Sequence, residues 1–182
     1  MTQAVLISIR PKWCELIATG KKTIEVRKTK PKLLPPFKCY IYETRGFERV
    51  GNDSLNCVIG GSGRGMVIGE FVCDSIFFLS CYASDASFFD TEPPLPVPGT
   101  CLTDKEIADY LGNGKTGYGW HITDLKLYAE QREINEFKRW NRTEQTAPCA
   151  HVYALYSPCE SCTECNLKSA PQSWCYVEEV DG

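Results

Sequence analysis

The 182-residue sequence has no apolar run long enough to form a membrane-spanning helix. Its opening, Met1 to Arg10, has neither a basic leader region nor a long apolar stretch, so export is not expected. No G-x-x-x-x-G-K-[ST] pattern occurs, which excludes a P-loop phosphate cradle, and no internal repeat is present. Cysteine, by contrast, is abundant, with 11 residues. An odd number in a chain without an export signal does not read as a disulfide framework. Cys39, Cys73 and Cys175 fall among apolar or β-prone neighbours, where a reduced thiol acts as a small hydrophobe. The expected compartment is therefore the reducing cytoplasm. A hydrophobic share of 43% and a charged share of 24% belong to a folded domain rather than a disordered chain. The length suits one domain over residues 1–182, with a cysteine-rich loop over 149–175.

The net charge of −3 at first speaks against a polyanionic partner, but its distribution is uneven. Between Arg10 and Lys32 lie Arg10, Lys12, Lys21, Lys22, Arg27, Lys28, Lys30 and Lys32, opposed only by Glu15 and Glu25. An acidic protein with one basic stripe can still bind a phosphate backbone locally. A solvated charged edge is the alternative reading of the same stripe.

Periodicity predicts short elements. Ala4 to Arg10 alternates as a first strand, and Pro11 suits the first turn of a helix with Trp13, Leu16 and Ile17 as its apolar stripe. Gly20 is a natural stop for it. Thr23 to Arg27 alternates at period two, with Ile24 and Val26 facing inward. Phe37 to Glu43 is a further strand, and Gly46 to Gly65, with six glycines, is expected to be a mobile loop. Met66 to Leu79 reads as one central strand or a pair, and Ser84 to Gly99 as a long connection. Thr103 and Glu106 form a capping box for a helix running to Leu111. Tyr118 to Tyr128 alternates again, and Ser173 to Val180 makes a last strand. The expected fold is α+β, a small antiparallel β-barrel flanked by short helices.

The stretch richest in chemistry is Gly20-Lys21-Lys22-Thr23-Ile24-Glu25-Val26-Arg27. On a strand, Glu25 and Arg27 share a face and stand about 7 Å apart at the backbone. Lys22 precedes them. A carboxylate between two cations above an apolar floor can orient a polar ligand, hold a phosphate or poise a lysine for proton transfer. The same alternation also describes an ordinary surface ion pair.

These residues match the G-x-K-x-x-E-x-R signature of ASCH domains, relatives of the PUA RNA-binding fold. The opening Leu6 to Pro11, Gly65 to Phe71, Gly119 to Leu125 and Pro171 to Glu178 also resemble blocks of one ASCH branch, similar to small proteins encoded by bacteria and their prophages. The resemblance implies a PUA-like barrel with an RNA-binding cleft beside the first helix. Some members resemble ribonucleases, and others are amidohydrolases acting on acylated cytidine. In the amidohydrolase branch a threonine, the expected nucleophile, stands where this sequence has Glu25, and Thr23 is displaced from that position by two residues. The resemblance leaves Lys22 and Glu25 as the catalytic candidates, with Lys22 binding a phosphate or activating water, Glu25 positioning it and Arg27 pinning the carboxylate. Lys21, Arg10, Trp13, Ser62, Arg64 and Trp120 are the further ligand-binding candidates.

Tyr118 and Trp174 are aromatic alternatives for base stacking, although aromatics at alternating positions more often belong to a core. His121 reads as a structural histidine or a general acid. Two functions of different class follow: an RNA-binding module, or a hydrolase acting on RNA or a modified nucleoside. Salt dependence separates a backbone binder from a nucleoside pocket.

Cys159, Cys162 and Cys165 form C-x2-C-x2-C, a spacing that lets thiolates wrap one metal. Cys149 is the preferred fourth ligand for a structural zinc, with His151 and Cys175 as alternatives. An iron–sulfur cluster is the rival, lacking the cysteine expected soon after Cys165. Zinc content near one equivalent in protein purified without chelator is the expected result, and a value well below it refutes the site.

Overall fold

The computed structural model describes residues 2–46, 48–50, 57–59, 63–80, 97–112, 115–140 and 166–180, with backbone only for 48–50, 57–59 and 80. Strand β1 (Gln3–Ile9) leads into helix α1 (Pro11–Ala18), followed by β2 (Ile24–Arg27), β3 (Phe37–Glu43), β4 (Glu48–Val50) and β5 (Cys57–Ile59). Next come β6 (Met66–Cys73), β7 (Ile76–Ser80), α2 (Asp104–Leu111), β8 (Thr116–His121), β9 (Thr123–Arg132), a 3-10 turn at Ile134–Glu136 and β10 (Trp174–Glu178). Strands β10-β1-β3-β6-β9 make one sheet, β2-β8-β7 a second, and β4-β5 a hairpin.

Among the described residues no ladder joins the two larger sheets, so the α+β class holds while the closed barrel is not seen. The sheet is also mixed rather than purely antiparallel, because β1 runs parallel to β3. Strand β1 is a central strand, and its apolar character is nearly continuous rather than alternating. Val5, Ile7 and Ile9 pack into one core with Ile17 and Phe71, while Ala4 and Leu6 pack into a second with Tyr40 and Phe137. Burial on both faces is what an interior strand in a covered sheet requires. Even Ser8 is buried, its hydroxyl donating to the Pro171 carbonyl at 2.6 Å.

Two segments divide where the sequence reads as continuous. The glycine-rich stretch carries the β4–β5 hairpin, built on the β-prone Cys57-Val58-Ile59. The alternation from Tyr118 to Tyr128 is two strands in different sheets, β8 beside β2 and β9 beside β6. The switch passes through Ile122, with Asp124 in the left-handed region at φ +48°.

Helix α2 closes the small sheet. Its Ile107 and Leu111 pack with Ile24 and Val26 of β2 and Leu79 of β7. The capping box forms as expected: Thr103 Oγ accepts from the Glu106 amide, and Glu106 accepts from the Thr103 amide at 2.8 Å. Covering Ile24 and Val26 in this way buries one face of β2 and turns Glu25 and Arg27 toward the opposite side.

Candidate functional site: a charged cleft between the two helices

Helix α1 sets the position of Lys22. Gly20, at φ +70°, takes the left-handed conformation that ends a helix, and its amide bonds back to the Ile17 carbonyl. The chain then folds underneath, so that the Lys22 amide donates to the Leu16 carbonyl at 2.9 Å. On the far side the Thr23 and Ile24 amides both meet the Gly99 carbonyl. Gly99 has φ +85°, and a Cβ there would lie 2.3 Å from Thr23 Oγ1, so this close crossing requires glycine.

The signature residues are buried. Lys22 is 2% exposed, Glu25 6% and Arg27 7%, which rules out the surface ion-pair reading. Lys22 Nζ donates to the carbonyls of Ile24 at 2.8 Å and Thr100 at 2.7 Å and stands 3.4 Å from Glu25 Oε2. An ammonium has three N–H donors, and these three acceptors use them all. Arg27 Nη2 stands 3.0 Å from Glu25 Oε1 and donates to the Ser8 carbonyl at 2.6 Å. Its Nη1 reaches toward Ser173 just ahead of β10. One guanidinium thus ties β2 of the small sheet to β1 and the start of β10 in the large one. Its buried Nε has no hydrogen-bond partner. Burial pushes the Lys22 ammonium below the ordinary lysine range, and the adjacent Glu25 carboxylate opposes that shift.

The trio floors a cleft of about 800 Å³. Arg10, at the N-cap of α1, and Trp13 within it line one side, and Glu106, Asp109 and Tyr110 from α2 the other. Lys28, Gln172 and Ser173 complete the rim. Two aromatic side chains therefore flank the buried carboxylate. Trp13 carries Lys12 over its ring at 4.6 Å and Lys22 at 5.2 Å. Tyr110 is 41% exposed, carries Lys28 over its ring at 5.3 Å and has its hydroxyl pKa raised by burial. Four cations and three carboxylates line the cleft, so it is nearly balanced in charge rather than uniformly basic.

Of the candidates from sequence, Arg10, Trp13, Lys22, Glu25 and Arg27 meet in this one cleft. Lys21 is exposed and lies outside the lining, its carbonyl accepting from the Cys101 thiol. Arg64 is exposed as well, lies outside the lining and pairs with Glu43 at 3.5 Å. Trp120 is fully buried, packed on Phe37 and Trp174, so it is core rather than a stacking platform. Trp174 donates to Thr29 Oγ1, and Tyr118 packs on Phe78 beneath Lys30. His121 pairs with Asp74 at 2.7 Å on the surface. Ser62, His151 and the proposed zinc ligands Cys149, Cys159, Cys162 and Cys165 lie outside the described residues.

The α2 contribution is not anticipated from sequence, although a signal for it exists. Glu106, Asp109 and Tyr110 stand at i, i+3 and i+4, on a face that borders the buried stripe of Ile107 and Leu111. Reading that second face requires knowing what the helix is laid against.

Two strand-rich layers with a lysine–glutamate–arginine cluster between short helices define a PUA-like α+β domain. The chain belongs to the ASCH domain family, whose model matches residues 7–177. That family has a PUA-like fold generally linked to RNA binding. Among solved structures, the chain is similar to ASCH from Zymomonas mobilis, with 18% identity, a TM-score of 0.51, and 73% of this chain and 75% of that one covered. Two point mutants of the Zymomonas mobilis protein match at the same TM-score, with 17% identity over 73% and 77% of the chains, and 18% over 73% and 75%. These likenesses concern the fold. No curated protein matches the sequence. No described helix is long and apolar enough to cross a membrane.

Proposed function

We propose that this chain is an RNA-binding ASCH domain that takes one unpaired nucleotide into the cleft above Lys22, Glu25 and Arg27. The observation that carries the reading is Glu25, a buried carboxylate held between two cations at the floor of a cleft with aromatic walls. Burying one carboxylate with two cations carries a desolvation cost, and a polar group received there by the free carboxylate positions would offset part of it. A near-balanced lining suits a nucleoside moiety better than a continuous phosphate track. The exposed cations Arg10 and Lys28 on the rim are placed for flanking phosphates.

Equilibrium binding of a labelled mixed-sequence RNA to the wild type and to Arg10→Ala and Lys28→Ala tests this. Both residues are exposed, so neither change threatens the fold. Each is expected to weaken binding several-fold and to shallow its salt dependence. Wild-type protein that fails to bind RNA at low salt refutes the reading.

A second reading, hydrolysis of RNA or a modified nucleoside with Lys22 and Glu25 as the reacting groups, draws on the depressed lysine pKa. The three acceptors already on Lys22 weigh against it. Product formation from either substrate, lost in Lys22→Met while RNA binding persists, would favour it over pure binding.

A further inference from the structure

We infer that the cleft selects guanine, with Glu25 as the specificity-determining residue; this rests on the RNA reading of the same site. Each Glu25 oxygen faces one cation, Oε1 toward Arg27 and Oε2 toward Lys22. A carboxylate offers about four lone-pair positions, so both oxygens keep one free. The side chain lines the cleft, and its neighbours hold it in place. A ligand therefore meets two adjacent acceptors at the floor, flanked by Lys22 Nζ and Arg27 Nη2, which are already engaged with Glu25 and main-chain carbonyls.

The base edges answer this arrangement differently. Guanine presents two adjacent donors, N1–H and the 2-amino group, which match two carboxylate oxygens. Cytosine and adenine each set one amino donor beside a ring-nitrogen acceptor, which would face the second oxygen lone pair to lone pair. Uracil sets its single N–H between two carbonyls. Only guanine satisfies both oxygens without repulsion, and leaving a buried acceptor opposed rather than paired is what discriminates most strongly. Trp13 and Tyr110 line the same cleft, and a base reaching the floor stacks on them by displacing the exposed Lys12 and Lys28 side chains that lie over their rings.

Pentaribonucleotides of uridine carrying guanosine, inosine, adenosine, cytidine or uridine at the centre test this by competition against the wild-type protein. The guanosine oligomer is expected to bind at least about tenfold more tightly than the adenosine, cytidine and uridine ones. Inosine keeps N1–H but lacks the 2-amino group, so its oligomer should fall between. This comparison changes the ligand alone and needs no variant to fold. In Glu25→Gln, checked for folding by circular dichroism, the guanosine preference should vanish. Equal affinity for all five oligomers, or a preference unchanged in folded Glu25→Gln, overturns the inference and leaves the RNA reading standing. No binding of any of the five overturns both.

Discussion

Lys22 donates to two main-chain carbonyls and one carboxylate, and none of its N–H groups is left for solvent. Replacing it with methionine keeps the length of the side chain but strips the carbonyls of Ile24 and Thr100 of a donor and leaves Glu25 buried with one cation. Removing one partner of a buried charge pair costs about 3–5 kcal/mol. Lys22→Met is expected to lose a comparable amount in urea unfolding, and a loss below about 1 kcal/mol would show that the cluster does not hold the strand. Adding Glu25→Gln should deepen the loss, since Arg27 is then left buried without its carboxylate. The three-residue spacing from Lys22 to Glu25 and the shared face of Glu25 and Arg27 were legible in the sequence. Their burial was not, because nothing local says that β1 and the Val97–Thr100 segment close over them.

Helix α2 is eight residues long, so its first turn is a large part of it. Its capping box was legible because the signal is contained in four consecutive residues, Thr103 to Glu106. Thr103→Ala should cost about 1 kcal/mol in thermal or urea unfolding, with Thr103→Ser close to wild type. Asp109 and Tyr110 ride on the same helix, so RNA affinity should fall in parallel with the fraying. Unchanged stability in Thr103→Ala would mean that packing of Ile107 and Leu111 alone fixes the helix. The division of β8 from β9 was illegible for the opposite reason. No glycine or proline marks the passage at Ile122, and the alternation continues across it, while the partners that split it, β2 and β6, are remote in sequence.

At the scale of the whole molecule, four of the described thiols serve as core material, Cys14, Cys39 and Cys73 buried and Cys175 half-buried, while Cys101 is exposed. Burial raises the pKa of Cys14, lifts Cys39 well above the ordinary value of 9.0, pushes Cys73 up to about 12 and raises Cys175. Below pH 9 these thiols are protonated in both states and contribute no pH dependence. Above it the unfolded chain sheds protons that the native one retains, so stability falls as pH rises, by up to about 1.4 kcal/mol per thiol per pH unit. Lys22 acts in the other direction: its folded pKa is lowered from 10.5, so the penalty for burying its charge relaxes as pH climbs toward that value. One such group does not offset four thiols. The urea midpoint should therefore drop between pH 8 and pH 10.5, and Cys39→Ala should flatten the decline by about one proton. A midpoint constant over that range would contradict the assignment of these thiols to the core.

The sequence by itself determined the signature from Gly20 to Arg27, the α1 stop, the α2 cap and the core roles of several cysteines, because each depends on neighbours within a few residues. Tertiary structure alone decided that β1 lies parallel to β3 in the interior, that Trp120 is core while Trp13 lines the cleft, and that α2 supplies the opposite wall. Those outcomes depend on which distant surfaces meet. An alternating strand or an amphipathic helix carries the same local pattern whether its second face meets solvent, another sheet or a cleft.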